Sequence, residues 1–291
     1  MTSILTNVAA NSALQTLSTI NHNLESTQNR VSSGYKVAKA SDNVAYWSIS
    51  TTMNSDNKAL NAASDALGVG AAKVDTAYSA MESAIDVVNE IKSKLVTATE
   101  TSTDKDQIQL EVGKLQEQLT SIAQGASFSG ENWMITDGQT TGTVVDGFVR
   151  SSTGVAVTTA SYDITSYALF DSITGGVGTG GILGSVMTID LTTITSTDEI
   201  AGMLTTVEDA LAQMTIGGGA LGALTTRIDL QSNYAGKLSD AIDEGVSRLV
   251  DADMEQESAK LSALQTQQQL AIQSLSIANS SSQNIMTLFR G

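Results

Sequence analysis

His22 is the only histidine in these 291 residues, and there is no cysteine. A His-based triad or zinc cluster is therefore not expected, and a thiolate metal site or disulfide framework is excluded. Carboxylates gather at Asp251, Asp253, Glu255 and Glu257, but acid–base work needs a pocket that sets two carboxyls apart; outside one, such a run is a solvated or inter-subunit face. Gly176-Val177-Gly178-Thr179-Gly180-Gly181 fits the spacing of a dinucleotide fingerprint. That fingerprint requires a strand before it and a helix after it; Ile182 to Ile194 alternates like a strand, so a loop is expected. Neither G-x-x-x-x-G-K-[ST] nor H-E-x-x-H occurs. Trp47 and Trp133 read as packing anchors, His22 as a polar helix position, and the sequon Asn279-Ser280-Ser281 falls within a helical stripe. No catalytic, cofactor or metal site is predicted, and the chain is not expected to be an enzyme.

Composition points the same way. A net charge of −16 and pI near 4.2 argue against partners that are nucleic-acid backbones or anionic membrane surfaces. No apolar run reaches the roughly 18 residues of a membrane span. Proline is absent and aromatics make up only 4%. The first suits long uninterrupted helices; the second leaves few large side chains for compact cores. The first seven residues lack the basic and apolar regions of a secretory signal, which fits cytoplasmic residence or export by a signal-less route.

The helices that remain are read from spacing. From Leu249 to Phe289, Val250, Met254, Glu257, Leu261, Leu264, Gln268, Ala271, Leu275, Ala278, Ser282, Ile285 and Phe289 keep an unbroken three-four rhythm. Leu249, Ala263, Leu270 and Ile277 form a second apolar row. A helix apolar on two sides expects two neighbours, and at a chain end those are other copies of the chain. At the other end Ala10, Leu14, Leu17, Asn21, Leu24, Gln28 and Val31, flanked by Ile20, make a similar diluted stripe ending at Gly34. Ser41 to Asn43 offer caps for a long helix with Tyr46, Met53, Leu60, Leu67, Val74, Met81, Val88 and Leu95 at every seventh place. Tyr78 and Ile85 read as the second half of its seam, and Gly68 and Gly70 as a point of bending. Ile108, Val112, Leu115, Leu119 and Ile122 carry a further helix. From about Phe128 to Thr197 the period shortens to two, at Tyr162 and Ile164 and again at Met187, Ile189 and Leu191. Helical period returns at Ile200, Gly217-Gly218-Gly219 reads as a turn, and Leu221 onward leads into the terminal stretch.

The fold class expected is mainly α with a small β-containing insert: a long antiparallel helical hairpin, a coiled-coil rod with both termini at one end. Its parts are a terminal-helix core domain (1–40 and 252–291), a helical shell (41–135 and 196–251) and a β-rich surface insert (136–195).

Three sets of residues resemble bacterial flagellin. Leu24…Gln28-Asn29-Arg30-Val31-Ser32-Ser33-Gly34 with Ala40-Ser41-Asp42-Asn43-Val44-Ala45 is similar to the family's amino-terminal signature. Arg248 to Glu255, Gln267 to Gln273, Ser276 to Asn279 and Ile285 to Gly291 are similar to its carboxy-terminal one, and Leu221-Gly222-Ala223-Leu224…Arg227 to the start of its returning helix. The short insert resembles the rhizobial alpha-proteobacterial type. Flagellins recognised by the animal innate receptor carry Leu-Gln-Arg-x-Arg-Glu-Leu; here Val88 to Leu95 lacks the paired arginines, so that recognition is not implied.

The resemblance implies a structural subunit polymerising into the extracellular flagellar filament for motility, exported through the flagellum's own channel without a cleaved signal. It also implies an export chaperone, a filament cap and hook-associated proteins as partners. A hook–filament junction protein with the same terminal plan is the nearest alternative; an adhesive or immune-modulating surface protein is a second class. The residues expected to carry polymerisation are Leu14, Leu17, Leu24, Val31, Leu261, Leu264, Leu275, Ile285, Leu288 and Phe289. In the isolated chain, 1–40 and 252–291 are expected to be disordered or weakly helical, because diluted seams bury too little to offset ordering entropy.

Overall fold

The structure, a computed structural model, describes residues 7–100, 102–151, 154–194 and 196–288, with side chains described as far as residue 280. Its elements are mostly helical: α1 (Val8–Ser33), α2 (Val44–Ala98), α3 (Lys105–Gly125), α4 (Ile164–Tyr167), α5 (Thr197–Val250) and α6 (Met254–Leu288). Between α3 and α5 lie the strands β1 (Ser127–Phe128), β2 (Glu131–Asn132), β3 (Thr141–Ser151), β4 (Gly154–Asp163), β5 (Ser172–Thr174) and β6 (Val177–Thr179), in three two-stranded antiparallel sheets. Mainly α with a small β insert is what the spacing predicts. The chain forms two compact units, residues 1–57 with 240–291, and residues 58–239.

The first unit is built on α1 and α6. Asn7 caps α1 by accepting the Ala10 N–H (3.0 Å), and Gly34 ends it at φ +76°, its N–H donating to the Arg30 carbonyl (2.9 Å). The two helices run antiparallel: Asn7 Nδ2 donates to the Ala278 carbonyl (3.0 Å), Gln268 Nε2 to Asn21 Oδ1 (2.7 Å), and Arg30 Nη1 to Glu257 Oε1 (3.2 Å). The expected unbroken run from Leu249 is interrupted. Helix stops at Val250, and Asp253 restarts it by accepting the N–H groups of Glu255 (3.1 Å) and Gln256 (3.2 Å). The break is docked on the connector after α1: Lys36 N–H donates to the Val250 carbonyl (2.8 Å) and Ala252 N–H to the Gly34 carbonyl (2.8 Å). Backbone groups freed at one helix end thus satisfy those freed at another.

In the second unit the long seam of α2 alternates large and small: Leu60, Ala63, Leu67, Gly70, Val74, Ala77, Met81, Ala84, Val88, Ile91, Leu95 and Ala98 are all buried. The seven-spaced large row is buried from Leu60 to Leu95, whereas Tyr46, at its start, is exposed and Met53 half-buried. Its complement is Ala77 and Ala84, not Tyr78 and Ile85; Tyr78 is exposed and Ile85 only half-buried. Gly217, Gly218 and Gly219 lie inside the 54-residue α5 and form no turn. A Cβ on Gly217 would sit 3.2 Å from Met81 Cε and 3.2 Å from Tyr167 Cβ. Tertiary packing here outweighs a propensity loss of roughly 1 kcal/mol per glycine. Gly68 and Gly70 likewise interrupt nothing in α2, and Gly70 makes room for Val144 of β3.

The insert closes this core. Trp133 stacks on Tyr162 at 5.6 Å between centroids, and Gly142 lies where a Cβ would meet the indole at 2.3 Å. Residues 182–194 are not a strand: Val186–Thr188 is a 3-10 turn, and the segment lies over α3, where Gln116 Nε2 donates to the carbonyls of Val186 (3.0 Å) and Ile189 (3.2 Å). Alternation at Met187, Ile189 and Leu191 comes from a coil pinned by side-chain hydrogen bonds.

Candidate assembly surface

The glycine motif is part of a hairpin. Gly175 and Gly176 take φ +62° and +85° between β5 and β6, the two-residue turn that suits twisted strands. Gly178 packs on the Phe170 ring, which leaves no room for a phosphate. Among the described residues no group of three or more His, Cys, Asp or Glu could hold a metal, and no helix is long and apolar enough to cross a membrane.

The chemistry on offer is the surface of the α1–α6 pair. In its seam lie Ala10, Ala13, Leu17, Ile20, Leu24, Thr27 and Val31 of α1, and Glu257, Leu261, Leu264, Gln268, Ala271, Leu275 and Ala278 of α6. Of these only Thr27, Glu257 and Leu264 are buried, and two of the three are polar. The α6 stripe is the one its spacing predicts, except that Met254 is exposed. On α1 the three-four rhythm takes its other phase: Ala13, Ile20 and Thr27 face α6, whereas Leu14 and Gln28 are exposed and Asn21 lies at the exposed rim, where it accepts from Gln268 of α6. Both phases fit the same heptads, so spacing by itself does not choose between Leu14 and Ala13.

The residues predicted to carry polymerisation therefore separate. Leu17, Leu24, Val31, Leu261 and Leu275 are half-buried in the seam and Leu264 is buried. Leu14 is 50% exposed. Ile285 and Leu288 lie on the backbone of α6 where side chains are not described, and Phe289 lies outside the described residues. Leu270 (59%) and Ile277 (69%), seven residues apart, are more exposed than Leu14, and Val8 more exposed still.

Electrostatics divide this unit. From Leu261 to Phe289 the sequence holds no charged side chain, and from Met1 to Leu24 its only titratable side chain is His22. The −16 of the chain is carried elsewhere. Where charge begins again, Arg30 meets Glu257; the sequence placed Glu257 both in the stripe and in the acidic run but did not name its partner. The remaining oxygen of that carboxylate is buried without a hydrogen bond.

The helical regions at the two ends of the chain match known proteins. Residues 4–140 match the bacterial flagellin N-terminal helical region, and residues 204–289 match the bacterial flagellin C-terminal helical region. The β3–β4 and β5–β6 hairpins fall between those two matches. Flagellin C of Rhizobium meliloti (strain 1021) is 48% identical over 320 residues, and flagellin of Brucella melitensis biotype 1 is 46% identical over 293, each covering all of both chains. A solved structure of a flagellar hook-associated protein from Vibrio parahaemolyticus superposes at TM-score 0.55 with 12% identity, covering 72% of this chain and 100% of that one; it shows a shared fold. With two helical regions matched in order and relatives aligned end to end, this chain belongs to the bacterial flagellin family.

Proposed function

We propose that this flagellin polymerises through the outward rows of its α1–α6 pair, and that the pair completes its order only among neighbouring copies. The chain is a structural subunit of the bacterial flagellar filament. The observation carrying the finer reading is the row Leu270–Ile277, exposed on a helix that holds no charged residue from Leu261 to its end at Leu288. Like-charged copies can approach there without repulsion, and each apolar residue covered contributes on the order of 1–2 kcal/mol. Leu17, Leu24, Val31, Leu261, Leu264 and Leu275 then hold the pair together, while Leu14 with Leu270 and Ile277 meet other copies. In sequence, Ile285 and Phe289 continue the three-four spacing of the stripe and Leu288 adjoins them.

The division into a terminal-helix core (1–40 and 252–291), a shell (41–135 and 196–251) and a surface insert (136–195) belongs to this reading. So does export through the flagellar apparatus without a cleaved signal, with a chaperone covering α6 and a cap and hook-associated proteins as end partners. The junction-protein alternative is weaker, since full-length flagellin relatives reach 48% identity whereas the hook-associated structure shares 12%.

The test pairs two variants. Ile277→Ser should leave the melting of the dilute chain within about 0.5 kcal/mol of native, yet slow elongation from native seeds by about tenfold or more. Leu264→Ala should weaken the pair itself. Elongation of Ile277→Ser at the native rate would remove the outward row from the assembly surface.

A further inference from the structure

Beyond the terminal pair, we propose that the start of α2, residues 44–53, is a second assembly face, covered in the filament by a neighbouring copy of the chain. The inference rests on the filament-subunit reading and adds a contact to it.

The pattern at this helix start is inside out. Asn57 Nδ2 donates to Asp243 Oδ1 of α5 at 2.5 Å, and Met53 packs on Gly245, where a Cβ would sit 2.9 Å from Met53 Cε. Ser50, three residues earlier on that side, is buried like Asn57. The buried positions are thus mostly polar, whereas Val44 is 70% exposed, Ile49 48%, and Tyr46 and Trp47 are exposed as well. A surface helix ordinarily buries its apolar stripe and turns its polar side to water. Large apolar side chains gathered on the outside, over a polar inner side, mark a surface that meets another molecule. Trp47 also borders a groove of about 420 Å³ with Tyr35, Val37 and Val250, which continues the apolar surface onto the connector after α1.

Charge and reach identify the occupant. No charged side chain occurs between Asp42 and Asp56, so the helix start itself offers nothing to a basic or an acidic partner. It is instead a place where two chains of net charge −16 can meet without bringing carboxylates together. Residues 1–6 do not reach it: they join α1 at its far end, and the 26 residues of α1 extend about 39 Å, whereas six residues span at most about 22 Å. The face belongs to the same compact unit as α1 and α6. Tyr35 and Met254, both exposed at the joint where α1 ends and α6 begins, lie between it and the Leu270–Ile277 row. That row and this face then form one surface for neighbouring copies.

The two tryptophans permit a direct test, because Trp47 is 39% exposed and Trp133 only 3%. Acrylamide quenching of the native chain, less that of Trp47→Phe, reads Trp47 alone. From dilute chain to filament its quenching constant should fall severalfold and its emission move to shorter wavelength. In parallel, Val44→Ser and Ile49→Ser in one chain should leave the melting midpoint of the dilute chain within about 2 °C of native. The same double variant should raise the critical concentration about tenfold. Should it melt low, Ser48→Glu replaces it: Ser48 is exposed one turn after Val44, and a carboxylate there should raise the critical concentration without removing a packed group. The contact stands only if Trp47 is shielded on assembly and the variant is impaired. Trp47 equally quenchable in both states overturns it, and so does a native critical concentration, which would put the cover within the chain. Either result leaves the subunit reading standing; that reading fails only if native chains form no filament.

Discussion

Arg30 and Glu257 lie 227 residues apart in sequence and 3.2 Å apart in space, bridging α1 to α6 where the charge-free part of the pair ends. The Glu257 side chain is 10% exposed and its second oxygen has no partner, while the arginine is one-third exposed. A heptad seam of small residues has several nearly equivalent registers, and a pair of opposite charges tolerates only one of them.

Arg30→Met should therefore leave a nearly buried carboxylate unpaired, weakening the helical pair by roughly 2 kcal/mol. The filament's thermal depolymerisation midpoint would fall. Met at both positions should recover most of the loss, because the burdens of desolvation vanish together. If the single and double variants melt alike, the ion pair contributes no register energy.

The three glycines of α5 are expected to part company. Nothing lies within 4 Å of a Cβ on Gly219, so Gly219→Ala should stabilise by about 1 kcal/mol through helix propensity. Gly217→Leu meets Met81 and Tyr167 and should destabilise by about 1–3 kcal/mol as overpacking. Thermal melts of the two variants moving in opposite directions is the check.

Acid should loosen the connector between α1 and α2. The Asp42 carboxylate accepts the backbone N–H groups of Lys39 and Ala38, each at 3.0 Å, which holds its pKa below the ordinary carboxylate value. A depressed folded pKa contributes stability that is complete above the unfolded value near pH 4 and lost as pH falls through the folded one. Hydrogen exchange at Ala38 and Lys39 should accelerate below about pH 4, and Asp42→Asn should flatten that dependence.

Salt should favour growth. Copies of net charge −16 repel at a distance, whereas the residues from Leu261 to Phe289 have no charge to be screened. Raising ionic strength shortens the Debye length from about 30 Å at 0.01 M to about 8 Å at 0.15 M. The elongation rate should rise over that range, with sulfate adding to the effect by strengthening apolar burial. A rate that falls with salt would mean that attractive charge pairs dominate the encounter.

Long helices, the cap at Gly34, the seven-spaced row of α2 from Leu60 to Leu95 and the stripe of α6 from Glu257 to Ala278 were legible from the residues, because each depends on periodicity or on one residue's backbone preference. The family was legible for a similar reason: its marks are contiguous strings at the two ends. What periodicity could not supply was phase. Leu14 and Ala13 fit the same heptads, as do Tyr78 and Ala77, and in both cases the smaller residue is the less exposed one. Gly217 to Gly219 failed in the opposite direction, since a local turn signal was overruled by Met81 and Tyr167 packed against the helix.

From sequence alone came the elements, their order, the charge-free ends and the membership of a filament-forming family, all properties of neighbours along the chain. The partner of Glu257, the break at Asp251 to Asp253 and the coil over α3 were decided by the tertiary structure. Each depends on groups far apart in the chain meeting at a few ångströms, and close-range packing and hydrogen bonding are not encoded in the spacing of any one segment.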